Sequence, residues 1–335
     1  MTTTGGPTLN IAPAGDDAVV PFEVASLDIR GRALQLGPAV DTILQRHAYP
    51  IPVSRVLGEA IVLTALLGTS LKIDGRFILQ TQTNGPISTL VVDFRTPGKL
   101  RAYASFDEDQ VAAAIDVEKA SPEELMGTGH LAMTIDQGAH TSRYQGVVAL
   151  DGGSLEDAAH AYFERSEQIP TRARIAIAES FTRGDDGVAE HAWRAGGLIV
   201  QFLPAAGERI AHRDLDPGDA PETSDDPDIE EDDAWVEANA LVETVEDAEL
   251  IDPDVSAERL LFRLFHERGV RVFDAQELSE TCQCSQDRIA EMLQQFSDED
   301  RRDMVEDDEI VVTCEYCNTK YHFDAAEIVG DNSSE

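Results

Sequence analysis

Four cysteines carry the densest chemical information in this 335-residue chain, and all of them fall near its end. They form two pairs, Cys282-Gln283-Cys284 and Cys314-Glu315-Tyr316-Cys317, with 29 residues between them. Two close thiol pairs brought together by an intervening helical hairpin supply four soft ligands, the set that a tetrahedral zinc ion prefers. The spacing of Cys314 and Cys317 is ordinary for a zinc knuckle. Cys-x-Cys is rarer and holds its thiols near enough to bond to each other, so both pairs are candidates for local disulfides on oxidation. Four unrelated buried cysteines would rarely cluster in this way. Three readings stay open on the residues alone: a redox-switched zinc centre, a zinc-stabilised interaction protein without switching, and a thiol-disulfide oxidoreductase. The last is disfavoured, because Cys314 follows a strand without the helix start that would lower a nucleophile's pKa.

Other side chains offer less. His322 lies near the knuckle, but four thiolates already complete a shell, which leaves it a packing or supporting role. Glu59, inside an apolar helix, reads as a paired or capping carboxylate at the helix start rather than a catalytic one. Ser166 and Glu167 lack a histidine in an evident base position. No glycine-rich phosphate loop occurs, so ATP use is unsupported. The expectation is a protein that is not an enzyme.

The elements that must position the cysteines are legible in part. From Val20 to Pro204, apolar segments alternate with Gly and Pro punctuation, the texture of one compact domain. Leu57 to Leu71 is long, apolar and rich in Leu and Ala, as a buried helix is. Strands are expected at Phe77–Thr81, Ser88–Phe94, Leu100–Ser105, His130–Asp136, Tyr144–Ala149 and Leu198–Phe202, several bounded by turn signals such as Asn84-Gly85-Pro86. Ser154–Glu167 and Thr171–Glu179 read as helices. Near the cysteines, Ala257–His266 and the run after Ser285 have helical periodicity, with Ser285 and Ser297 as N-caps. Glu309–Thr313 and Lys320–Phe323 read as short strands flanking the Cys314–Cys317 turn. The fold class is α+β: an N-terminal domain of mainly antiparallel sheet with helices, a flexible acidic linker, and a small C-terminal zinc-binding α/β module.

Charge divides the chain further. Acidic residues number 64 against 26 Lys and Arg, for a formal net charge of −38. Nucleic acid and anionic membranes are therefore poor partners, since phosphate affinity rests on basic residues. Between Asp214 and Asp254 there are 18 acids and no Lys or Arg, which predicts a self-repelling linker. Within it, Trp235, Ala238, Leu241, Val242 and Val245 recur at helical spacing and suit a marginal amphipathic helix docked on the first domain. The expected division is a tail at 1–19, a core domain at 20–204, an acidic linker at 205–254, a cysteine domain at 255–330 and a tail at 331–335. The N-terminus lacks the basic and apolar pattern of a signal peptide, and no apolar run reaches the roughly 20 residues of a membrane span, so a cytoplasmic protein is expected. In that reducing compartment the cysteines are ligands or redox-active groups rather than permanent staples.

The chain resembles the redox-regulated holding chaperones of the heat-shock protein thirty-three family. The likeness rests on Cys282–Ser285 (CQCS), Cys314–Cys317 (CEYC) and Arg263–Glu267 (RLFHE) near the cysteines. In the first domain it rests on Leu57–Lys72 (LGEAIVLTALLGTSLK), Gly75–Ile87, Gly127–Gly138, Tyr144–Gly146, Tyr162–Thr171 and Ala195–Pro204 (AGGLIVQFLP). It covers roughly Val20–Pro204 and Val255–Val329; the acidic stretch after Arg213 is longer and more charged than the family's linker. The resemblance implies one zinc per reduced chain, held by Cys282, Cys284, Cys314 and Cys317. Oxidation to Cys282–Cys284 and Cys314–Cys317 disulfides would release the metal, unfold the small domain and loosen the linker. It also implies unfolded clients held without ATP under oxidative stress, a homodimer when oxidised, and later transfer of clients to ATP-dependent foldase chaperones.

Overall fold

The computed structural model describes residues 13–71, 74–138, 143–183, 189–203 and 232–329. The most acidic stretch of the expected linker, up to residue 231, and the outermost residues of both tails lie outside them. In chain order the first part contains β1 (Ala18–Val24), β2 (Ile29–Leu36), α1 (Pro38–Gln45), α2 (Ile51–Gly68), β3 (Arg76–Thr83), β4 (Ile87–Arg95) and β5 (Lys99–Phe106). It continues through α3 (Glu108–Asp116), α4 (Pro122–Met126), β6 (Thr128–Asp136), β7 (Tyr144–Asp151), α5 (Leu155–Tyr162), β8 (Thr171–Arg183) and β9 (Ala189–Phe202). The second part contains α6 (Asp233–Glu243), α7 (Asp247–Ile251), α8 (Ala257–Phe265), β10 (Arg271–Val272), β11 (Gln276–Glu277) and β12 (Ser279–Glu280). It ends with α9 (Gln286–Leu293), α10 (Asp298–Asp303), β13 (Glu309–Thr313), β14 (Lys320–Asp324) and α11 (Ala325–Val329).

Two six-stranded sheets enclose α2. One runs β10-β1-β2-β9-β8 with β11 also on β1, the other β12-β5-β4-β3-β6-β7. The apolar run that predicted a buried helix does form one, 18 residues long, with strands of both sheets against it. That helix is long and apolar enough to cross a bilayer, but 78% of it is buried inside the protein. Its Gly58 permits the close approach: a Cβ there would lie 1.9 Å from Ile177 Cδ1 of β8. All six expected strands are present, each within one or two residues of its predicted ends except β9, which begins nine residues earlier.

Thr171–Glu179 is a strand, not the helix expected. β8 pairs with β9 along the whole span from Thr171↔Gln201 to Arg183↔Ala189. Its alanines favour a helix locally, but alternation sends Ile175 and Ile177 to the α2 side and Arg172 and Arg174 to the other, and long-range pairing overrides propensity. Glu59 is also not at a helix start. It sits in the middle of α2, has no hydrogen bond or ion pair among the described residues, and burial with Glu123, Glu156 and Asp247 nearby raises its pKa from 4.5 to about 8.

The boundaries drawn at residues 19 and 254 do not follow the packing. Asp17 caps α1, accepting from Gly37 N (3.0 Å) and Ala39 N (3.0 Å), and β1 starts at Ala18. α8 buries Leu260, Leu261, Leu264 and Phe265 in the same apolar cluster as Phe22, Leu198, Val200 and Phe202 of the first sheet. The three short strands after it complete the two sheets. An independent small core begins only after the first cysteines and rests on five buried residues, Ile289, Leu293, Ile310, Phe323 and Ile328.

The amphipathic stretch of the linker is helical and docked. Trp235, Ala238 and Val242 of α6 are buried, and Trp235 packs against Phe202 at 5.9 Å. α7 lies so close to β9 that a Cβ on Gly196 would meet the Leu250 carbonyl oxygen at 2.0 Å. Acidic side chains of these helices reach basic partners around the cluster: Glu237 bonds Arg268 (2.6 Å), Glu243 Arg172 (3.3 Å) and Asp247 Arg174 (3.0 Å).

Candidate metal centre

Cys282 and Cys284 lie in the extended segment between β12 and α9. Ser285 caps α9, its hydroxyl accepting from Arg288 N (3.3 Å), and the Arg288 side chain returns to the Gln283 carbonyl (2.8 Å), which holds the short Cys-x-Cys segment at the helix start. Ser297 caps α10 in the same way, so both predicted caps form. Cys314 and Cys317 lie in the turn between β13 and β14. Cys314 N donates to Thr319 O (3.0 Å), Asn318 N donates to Cys314 O (2.8 Å), and Asn318 takes the left-handed conformation that closes the knuckle.

These two local turns bring the four sulfurs within 4.8 Å of one another. Cys282 Sγ is 3.3 Å from Cys284 Sγ and 3.7 Å from Cys314 Sγ, and Cys284 Sγ is 3.3 Å from Cys317 Sγ. Burial pushes the Cys284 thiol up to about 12, despite the Tyr321 hydroxyl donating to its sulfur at 3.1 Å. Burial also raises Cys314, against the Cys317 and Tyr316 backbone N–H groups that point at its sulfur. Burial opposes ionisation at Cys317 too, but the Thr319 hydroxyl, 3.2 Å away, its backbone N–H and the neighbouring thiols together lower that group to about 7. Of these three thiols Cys317 ionises most readily, and a cation at the centre of the cluster would favour the thiolate form.

The knuckle is tied to the first part of the chain as well as to its own module. His47 Nε2 lies 3.3 Å from the Tyr316 carbonyl, and Asn318 Nδ2 donates to the Arg46 carbonyl at 3.0 Å. Arg46 forms a bidentate pair with Glu280, two residues before Cys282. The sequence model of the family described as Hsp33 protein matches residues 17–324. The chain belongs to the Hsp33 family. It is 43% identical over 92% of its length to the 33 kDa chaperonin of Caulobacter vibrioides, covering 95% of that protein. With the 33 kDa chaperonin of Ectopseudomonas mendocina the identity is 35%, over 90% of each chain. The fold is that of the 33 kDa chaperonin of Thermotoga maritima in its crystal structure, with a TM-score of 0.68 at 21% identity, covering 93% of this chain and 96% of that one.

As an Hsp33-family chaperone, the chain presents the four cysteines singled out from its sequence as one cluster able to hold a metal ion. His322 stands apart from it, exposed and hydrogen-bonded to Glu309 at 3.0 Å. The sequence reading missed Thr319 and Tyr321, the hydroxyls that touch the sulfurs. Their signal was position alone, within four residues of Cys317 on or beside a strand. It also missed Arg46, His47 and Tyr316, which nothing local marks as partners.

Proposed function

We propose that this Hsp33-family chaperone is a cytoplasmic, ATP-independent holdase whose activity is switched by oxidation of a zinc centre at Cys282, Cys284, Cys314 and Cys317. The convergence of four thiols on one point supports the reading most directly. Zinc–thiolate bonds of about 2.3 Å in a tetrahedron separate the sulfurs by about 3.8 Å, close to the spacings found. Bound there, zinc would supply about 10–16 kcal/mol of apparent binding free energy to a small module. The five-residue core of that module has little else to hold it together.

Oxidation removes the ligands in pairs. Two thiolates give two electrons to a peroxide; one S–S bond forms as the O–O bond breaks, and two solvent protons complete two waters. Closing Cys314–Cys317 and Cys282–Cys284 in turn leaves no thiolate for the metal, and the module loses the crosslink that folds it. Its contacts with the first domain then lapse, the docked linker helices loosen, and apolar surface opens to unfolding clients. The active form is a homodimer, and clients pass from it to ATP-dependent foldases.

The reading is tested by measuring zinc content and suppression of client aggregation on one sample before and after peroxide. The expected result is one zinc per chain and no suppression when reduced, then no zinc and strong suppression when oxidised. Retention of zinc by the active form, or catalytic reduction of insulin disulfides, would refute it. Replacing His322 with Ala should leave the zinc stoichiometry unchanged.

A further inference from the structure

The outer face of the second sheet, turned away from α2, holds a seat for an aromatic side chain, and the chain fills that seat itself. Tyr316, between the two knuckle cysteines, projects onto β5. Its ring meets Tyr103 edge-on at 5.0 Å and 88°, and the Arg101 guanidinium lies 4.0 Å from its centroid. Asp93 fixes that guanidinium, accepting from Arg101 Nε at 2.8 Å while also pairing with Arg76. Beside the ring, His47 Nε2 lies 3.3 Å from the Tyr316 carbonyl, and the Asn318 side chain donates to the Arg46 carbonyl. An aromatic ring with a polar contact to its own main chain is what a polypeptide segment offers such a seat.

The seat continues into a neutral strip. From Tyr103 the cross-strand row runs through Val91, Gln80, Ala132 and Val147 to the sheet edge at β7. Val91 and Ala132 are buried yet belong to none of the internal cores, as befits residues on the outer face, and Val147 is 59% exposed. In the next row Arg101 and Asp93 offset each other, followed by Ile78, Thr134 and Gln145. In a chain of net charge −38, such a strip repels an incoming polypeptide little.

We infer that this face is a client-binding surface, that its occupant is an extended, aromatic-containing segment of an unfolded polypeptide, and that Tyr316 blocks it in the reduced protein. The inference rests on the holdase reading above and gives it a location. Knuckle and client compete for one seat, so unfolding the knuckle opens the site directly, without waiting on the linker.

Binding of a fluorescein-labelled, unstructured peptide containing Tyr and Phe, followed by anisotropy with the full chain, tests this. Reduced Tyr316→Ala, still holding one zinc, should bind the peptide where reduced wild type does not. Oxidised Tyr103→Ser should bind it on the order of tenfold more weakly than oxidised wild type, from loss of the aromatic pair. Val147→Asp, at a side chain that faces solvent and leaves the cores untouched, should weaken binding in the same direction. A zinc-loaded Tyr316→Ala as inert as wild type, or oxidised Tyr103→Ser and Val147→Asp chains that bind at full strength, would overturn the surface while leaving the holdase reading intact. Failure of oxidised wild type itself to bind would overturn both. Should Tyr316→Ala shed its zinc, the two oxidised variants decide the matter.

Discussion

Trp235→Ala should detach the linker helices while leaving the cysteine module folded. Trp235 is 7% exposed and packs in the cluster under the first sheet, in contact with Phe202. Removing a buried tryptophan side chain costs about 3–5 kcal/mol. α6 has 11 residues, and isolated helices shorter than about 12–15 residues are marginal in water, so docking rather than propensity keeps it formed. The ion pairs around it are largely exposed and worth about 0–1 kcal/mol each, too little to compensate. A loss of about 3 kcal/mol multiplies local opening by more than about a hundredfold, at 1.4 kcal/mol per decade. Hydrogen exchange on the reduced, zinc-loaded chain should therefore show much faster exchange across residues 232–251, with residues 282–329 unchanged. Gly196→Ala, which drives a methyl into the Leu250 carbonyl, should act in the same direction without touching any α6 residue. Unchanged protection of α6 in Trp235→Ala would refute the claim that this side chain anchors the linker. Equal opening of the cysteine module would show instead that the two are one cooperative unit.

Three further outcomes follow from the geometry. A chain ending at Pro204 loses all four cysteines together with α6, α7 and α8 and uncovers Phe22, Leu198, Val200 and Phe202, so it should suppress aggregation with or without added oxidant and self-associate in sedimentation; a monomeric, inert truncation would contradict this. Glu59, whose native pKa is raised from 4.5 to about 8, binds more protons folded than unfolded between those values, so its contribution to stability falls as pH rises through that window. Glu59→Gln should therefore raise Tm more at pH 9 than at pH 5, and an equal shift at both would argue against a buried, protonated Glu59. Under limiting peroxide Cys314 and Cys317 should pair before Cys282 and Cys284, because one intervening residue closes a smaller, more strained ring than two; thiol trapping that finds Cys282–Cys284 bonded with the knuckle still reduced would reverse the order.

The sequence alone determined where the four thiols are presented, because the setting of each pair is local. Two thiol pairs, the serines that cap the two helices between them, and the strands around the knuckle are each specified within a few residues, and all appear where expected. The buried helix and six strands were legible for the same reason, as runs whose apolar period needs no distant partner to be recognised. What the sequence withheld depends on contacts across the chain. Thr171–Glu179 is a strand only because β9 lies beside it, and β1 is joined to β10 through Phe22↔Val272, partners about 250 residues apart. α8 belongs with the first sheet because its apolar face finds Phe22 there, although its position in the chain groups it with the cysteines. The seat of Tyr316 on Arg101 and Tyr103 is likewise a product of assembly: a tyrosine between two cysteines reads as filler until the sheet it rests on has formed.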